Sequence, residues 1–88
     1  CAANIDVTLS TSIEIKTASL LNRNSFYAYV AGTRIINQQG PKGTAVTQTY
    51  SPSENGTLTA SNGSLKVEGD RWGSNSYVKV FSVQVKYR

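Results

Sequence analysis

Few side chains in this 88-residue sequence are of the types that carry out chemistry. There is one cysteine, Cys1, and no histidine, so the usual nucleophile with an imidazole base cannot be assembled. A structural zinc site would need about four ligands, usually Cys or His, and these are missing too. Glu68 and Asp70 could form a carboxylate pair for glycoside chemistry, but charges at a strand end beside Arg71 explain them more simply. The sequence therefore predicts no enzyme, no metal and no cofactor.

Trp72 and two asparagines are the remaining candidates for contact with a ligand. Trp72, the only tryptophan, lies in a loop at residues 69–75, where it could stack on a sugar or cap one end of the fold. Asn55 and Asn62 each begin a glycosylation sequon, followed by Gly-Thr and Gly-Ser. Both sequons are also turn signals, which is the interpretation we favour.

Cys1 leaves three interpretations open. As the only cysteine it cannot form a disulfide within the chain, but it could cross-link two subunits. Cys-Ala-Ala-Asn is also a plausible start of a mature lipoprotein, in which Cys1 would be acylated. The third interpretation is an inert thiol.

The segment that would position Cys1 alternates apolar and polar residues from 4 to 16 without a change of phase. A side-chain period of two is typical of a half-buried strand. Thirteen residues span roughly 43 Å as a strand, which is more than a compact domain of this size covers. We therefore expect the segment to fold back near Ser10, or to extend to a partner and anchor there. The apolar anchors would be Ile5, Val7 and Leu9.

Six further segments have strand character and are separated by turn residues, at 25–31, 33–37, 44–50, 57–60, 64–68 and 77–88. Asn62-Gly63 indicates a hairpin. Seven to eight short strands predict an all-β fold, a small jelly roll or β-sandwich. Residues 5–88 would form one domain behind a connector arm at residues 1–4, which could extend to about residue 10.

The closing segment is predicted to serve both the core and assembly. Read with a strict period of two, one face carries Tyr77, Phe81, Val83, Val85 and Tyr87. The opposite face carries Val78, Val80, Ser82, Gln84, Lys86 and Arg88. Phe81, Val83, Val85 and Tyr87 are therefore the predicted core and assembly residues of this strand.

Composition points to an extracellular, assembled protein. Ser, Thr, Asn and Gln make up 31 of the 88 residues, and charged residues only 16%. The nine Lys and Arg are scattered, so a net charge of +4 gives little support to nucleic-acid binding. No apolar run has the length of a transmembrane helix. A small domain without disulfides or metal usually needs a partner chain, so we expect self-association.

The order of these features resembles the bacterial endospore appendage (Ena) family of self-assembling pilus subunits, which are small jelly rolls. The resemblance is a pattern of strands over most of the chain, carried by Cys1, the opening Ile5-Asp6-Val7-Thr8, the aromatic run at 26–30, and the segments 43–46, 64–67 and 83–87. It implies a fibre on the cell or spore surface, in which copies of the chain pair edge to edge and an anchoring surface protein is a further partner. Cysteines in the family's connectors cross-link subunits. Here the second cysteine is missing, so Cys1 could pair only with another chain.

Two alternatives remain. The closing strand with its penultimate aromatic Tyr87 is similar to that of chaperone–usher pilins, whose N-terminal segment acts as a donor strand. The chain is short for that family and cannot form its internal disulfide. The other alternative is a lectin-like surface module that uses Trp72.

Overall fold

The computed structural model of the chain describes residues 4–88, and all the regular structure in that part is β-strand. The seven strands are β1 (Ile5–Ser19), β2 (Ser25–Val30), β3 (Thr33–Gln39), β4 (Gly43–Tyr50), β5 (Ser53–Leu58), β6 (Leu65–Asp70) and β7 (Tyr77–Tyr87). They form two antiparallel sheets, which confirms the predicted all-β sandwich.

The long strand β1 is the centre of the first sheet. β7 pairs along one side of it, from Val7 opposite Tyr87 to Lys16 opposite Tyr77. On the other side, β5 and then β4 pair with successive halves of β1. In the second sheet, β2 lies between β3 and β6.

The core lies between the inner faces of the two central strands. Every residue of the core is at most 2% exposed: Val7, Leu9, Ile13 and Ile15 from β1, Phe26, Ala28 and Val30 from β2, and Ile36 from β3. The inward row of β1 thus packs against the second sheet, and from Val7 to Ile15 it is apolar except for the buried Thr11.

β1 neither folds back near Ser10 nor leaves the domain. It continues as one 15-residue strand because the molecule is elongated, measuring 52 × 18 × 14 Å. Thr11 lies between the part of β1 that pairs with β5 and the part that pairs with β4. Its backbone N–H and its Oγ1 both donate to the carbonyl oxygen of Pro52, each at 3.0 Å. Residues 5–10 pair with β5 inside the sheet, so the connector does not extend to residue 10.

Two turn predictions need correction. Asn55-Gly56 lies within β5 and not in a turn. Residues 59–64 do turn, and the backbone groups of Thr59 and Asn62 hydrogen-bond to each other at 3.0 and 3.2 Å. The flanking strands β5 and β6 belong to different sheets, however, so Asn62-Gly63 marks a crossover and not a hairpin.

The predicted faces of β7 are wrong at its first half because the strand contains a β-bulge. Ser82 pairs with Ser12 but Val80 pairs with Ile13, which leaves Phe81 as the extra residue. An extra residue reverses the alternation beyond it. Tyr77 therefore lies on the outer face, and Phe81 is 51% exposed instead of buried.

Candidate functional site

One long flank of the sandwich is closed. There β5 and β3 bring the sheets together, and a Cβ at Gly56 would lie only 2.9 Å from Cβ of Val30. Gly40 is equally tight, since a Cβ there would lie 2.6 Å from Cγ2 of Ile15. Glycine at these two positions lets the sheets approach without a gap.

The opposite flank, between β6 and β7, is open, and we call it the open flank. It is tight only at one end, where a Cβ on Gly69 would lie 3.2 Å from Cβ of Val78. Further along, the strands diverge around an apolar groove of about 250 Å³. The groove is lined by Leu9, Leu65, Lys66, Val67 and Val83.

The apolar side chains of the open flank face inward but remain half-exposed. Val83 and Val85 of β7 pair with Thr11 and Leu9, whose side chains are buried between the sheets. Nevertheless Val83 is 42% exposed and Val85 38%. Across the groove, Leu65 and Val67 of β6 are each 42% exposed. A sandwich normally buries these inner faces against each other, so this flank is an unfilled apolar surface.

The strand edges of the open flank also lack partners in the described part of the chain. Within residues 4–88, β7 pairs only with β1, and β6 pairs only with β2. Each strand therefore has one edge without a partner strand in the described part of the chain. An edge of this kind is a template for another strand. The open flank thus combines two hydrogen-bonding edges with an apolar groove between them.

The outer face of the second sheet is occupied by its own contacts. The Arg34 guanidinium lies 4.9 Å from the centre of the Tyr27 ring, and the Lys66 ammonium lies 5.4 Å from that of Tyr29. The Tyr29 hydroxyl donates to Glu68 at 2.8 Å, and the Lys66 ammonium lies 3.1 Å from the same carboxylate. Because cations cover both rings, this face is not a free platform for stacking.

These contacts also shift two acid–base equilibria. The hydrogen bond from Tyr29, together with that from Lys66, holds the pKa of Glu68 below its usual value. The same bond to Glu68, together with partial desolvation, raises the pKa of Tyr29. Glu68, considered above as one half of a carboxylate pair, is bonded to Tyr29 and Lys66 in this structure.

The residues predicted to form the site divide between several places. Val83, Val85 and Tyr87 lie on the open flank, while Phe81 leaves the ladder at the bulge and its ring lies 5.3 Å from the Lys79 ammonium. Trp72 lies in the loop between β6 and β7, 47% exposed.

Among the predicted connector anchors, Val7 and Leu9 are buried in the chain's own core and leave no surface for a neighbour. Ile5, at 46% exposure, is accessible, and Cys1 lies outside the described residues.

Sequence reasoning missed Leu65 and Val67, which line the groove opposite β7. A strand was predicted at residues 64–68, and β6 begins at Leu65. Its alternation Leu-Lys-Val places these two residues on one face. The pattern does not say which strand lies opposite that face, so the groove could not be found from it.

Other kinds of site are not seen in the described part of the chain. Residues 4–88 contain no group of three or more Cys, Asp or Glu placed to hold a metal ion. They also contain no helix long and apolar enough to cross a membrane. Comparison of the chain with known protein families, with curated proteins and with solved structures finds no match.

Proposed function

We propose that this chain is the structural subunit of an extracellular fibre that polymerises by strand augmentation at the open flank. The observation that carries the proposal is the half-exposed inner face of β6 and β7 beside two edges without partner strands. A strand from another copy would hydrogen-bond to one of these edges and cover the apolar groove in the same step.

The two flanks of the sandwich favour a chain of subunits over a closed pair. The edge formed by β4 and β5 lies on the far side of the first sheet from β7. When β7 of one copy meets the β4–β5 edge of the next, the pair still has a free β4–β5 edge at one side and a free β7 edge at the other. A head-to-tail contact that does not close generates a filament.

The N-terminal residues would act as a tether between subunits. They precede Ile5, at the opposite end of β1 from the loop that follows Ser19. The resemblance to endospore appendage subunits adds a possible disulfide from Cys1 to a neighbouring chain. It also supports a location on a cell or spore surface, with an anchoring protein as a second partner.

The groove also favours a pilin-like form of the same function. In that form, an alternating donor strand from a neighbour would enter the space between β6 and β7 and join both sheets. Its apolar residues would cover Leu65, Val67 and Val83, which line the groove. The two forms differ in how much of the groove is filled, and both need the open flank.

The test is fibre formation by the purified chain and by two matched variants of β7. Val83→Glu puts a charge into the groove, whereas Gln84→Glu puts the same charge on the outer face of the same strand, opposite Ser10. We expect fibres from the parent and from Gln84→Glu in negative-stain microscopy. Val83→Glu should need more than about tenfold higher protein concentration, because desolvating an unpaired charge costs several kcal/mol.

Thermal melts followed by circular dichroism would check that both variants fold. Discrete monomers or dimers from the parent chain would contradict the proposal. Equal polymerisation of the two variants would show that assembly does not use the open flank.

A further inference from the structure

Three loops meet at the end of the sandwich where β1 finishes, at residues 20–24, 40–42 and 71–76. The buried residue Asn24 joins them through both its side chain and its backbone carbonyl. Its Oδ1 accepts from the Trp72 backbone N–H at 2.8 Å, and its own carbonyl oxygen accepts from the Gly40 N–H at 2.8 Å. A Cβ on Gly73 would lie 3.6 Å from Cβ of Ala18. We call this end of the molecule the loop end.

The loop end exposes large apolar side chains. Leu20 is 73% exposed and Leu21 is 92% exposed, and Trp72, whose backbone is fixed by Asn24, is 47% exposed. The neighbouring Thr17 and Asn24 are fully buried, so the chain passes from core to protruding leucines within a few residues. Two adjacent exposed leucines in one loop, with an exposed tryptophan in a loop at the same end of the molecule, have the chemistry of an anchor in the interface of a bilayer.

Charge at the loop end is mostly positive. Arg23, Lys42 and Arg71 are exposed there, and Asp70 is the one acidic residue adjoining these loops. None of the three cations forms an ion pair with a carboxylate among residues 4–88, where the recorded salt bridge is that of Lys66 with Glu68. They therefore remain available to an anionic surface.

We propose that the loop end binds the surface of a lipid bilayer with anionic headgroups. Leu20, Leu21 and Trp72 would enter the interface, and Arg23, Lys42 and Arg71 would lie at the level of the headgroups. Local charge complementarity selects this partner, because three exposed cations lie at the loop end beside a single adjoining carboxylate, Asp70. The site lies at the end of β1 remote from Ile5, so it is independent of the N-terminal tether.

The single tryptophan makes the test direct, because all tryptophan fluorescence comes from Trp72. The chain, with Cys1→Ser to exclude any anchor at the thiol, would be titrated with vesicles of phosphatidylcholine and phosphatidylglycerol in a 3:1 ratio. We expect a blue shift of the emission and quenching by lipids with brominated acyl chains. Vesicles of phosphatidylcholine alone should give at most a weak response.

Variants assign the binding to the loop end. Leu20→Ser with Leu21→Ser should lower the partition coefficient by about tenfold or more, because both side chains leave water only when the tip inserts. Lys42→Gln and Arg71→Gln should each lower it about fivefold, the fold-change of about 1 kcal/mol per basic residue. Gln84→Ala is the control and should bind as the parent does, because Gln84 is exposed on the outer face of β7 opposite Ser10, outside both the loop end and the groove, and the substitution changes no charge.

Three results would overturn the proposal. The first is an emission spectrum that vesicles do not change. The second is binding that the leucine variant retains, with circular dichroism showing both proteins folded. The third is a blue shift that grows with protein concentration in the absence of lipid, which would assign the loop end to contacts between copies.

Discussion

At the scale of single residues, Asn24 fixes how the sandwich closes. Its side chain is fully buried and hydrogen-bonds to backbone groups. The Nδ2 donates to the carbonyl oxygens of Lys16 in β1 and Tyr77 in β7, at 2.8 and 3.4 Å. The Oδ1 accepts from Trp72 N–H. One amide thus holds two strands and a loop in register.

Asn24→Ala should therefore lower the free energy of unfolding by about 3 kcal/mol, since it leaves several buried polar groups without partners. Urea denaturation followed by circular dichroism would measure the loss. Asn75→Ala, an exposed asparagine of the neighbouring loop, is the control and should change stability by less than about 0.5 kcal/mol. Equal effects of the two substitutions would contradict the role given to Asn24.

Thr17 contrasts with Asn24, because its buried side-chain oxygen lacks a hydrogen-bond partner in the described structure. It is fully buried in β1, and its Oγ1 is the buried side-chain atom for which no hydrogen-bond partner is found in the described structure. Thr17→Val replaces the hydroxyl by a methyl group of similar size, so we expect unfolding to require about 1 kcal/mol more. Thr17→Ser keeps the hydroxyl but removes the methyl, and should be less stable than the parent. A Thr17→Val protein that melts below the parent would indicate a partner for Oγ1.

The pair of Tyr29 and Glu68 predicts a dependence of stability on pH. The pKa of Glu68 lies below its usual value of 4.5 in the folded chain. Its stabilising contribution is thus complete above that usual value and is lost as the pH falls through the lower, folded pKa. The pKa of Tyr29 is raised, so its contribution is present below its usual value of 10.0 and is lost as the pH rises through the folded pKa.

Glu68→Gln isolates the acidic side of this behaviour. The difference in melting temperature between the parent and this variant should be constant near neutral pH and shrink as the pH is lowered below about 4.5. Melts at pH 7, 5, 4 and 3 would measure it. A difference that persists unchanged at pH 3 would contradict the assigned bond.

At the scale of elements, β7 shows where strict alternation fails to predict which side chains of a strand face the core. The run from Val78 to Val85 offers apolar residues in both phases, so the sequence is compatible with more than one choice of faces. Because of the bulge at Phe81, Val78 and Val80 face inward before it and Val83 and Val85 face inward after it. The bulge arises from pairing with Ser12 and Ile13, in a distant part of the chain. In β1, where the alternation keeps one phase throughout, the inward face was predicted correctly.

The chain's two phenylalanines test this correction. Phe26 is fully buried in β2, whereas Phe81 is half-exposed at the bulge. Phe26→Ala should cost about 3–5 kcal/mol of stability, and Phe81→Ala only about 1 kcal/mol, in keeping with a largely solvated ring. Chemical denaturation of both variants measures the difference. A larger loss at Phe81 would restore the inward face that strict alternation predicts.

At the scale of the whole molecule, the sequence predicted the fold class but not how the strands divide between the sheets. Asn62-Gly63 determines a turn over four residues, and turn chemistry does not reach further. Whether β5 and β6 then pair depends on which apolar rows they cover, and β5 lies beside β1 while β6 lies beside β2. The open flank is a property of that division, so it could not be predicted either.

The N-terminal tether gives a prediction at the same scale. Strand pairing begins at Ile5, so deletion of residues 1–4 removes no described ladder partner. The shortened chain should melt within a few degrees of the parent but form fewer or shorter fibres, as microscopy and light scattering would show. Normal fibres from the chain without residues 1–4 would show that assembly needs only the open flank and that the N-terminal residues are not a tether.

The pairing of β1 with β7 also determines when the protein can fold. Val7 meets Tyr87 and Leu9 meets Val85, so β1 is completed by the strand that comes last in the described sandwich. Structures dominated by such distant contacts fold slowly, in about milliseconds to seconds. Until β7 leaves the ribosome, the apolar row of β1 lacks one of its lateral neighbours and is open to association with other chains. A protein built in this way benefits if the cell keeps nascent copies apart until synthesis is complete.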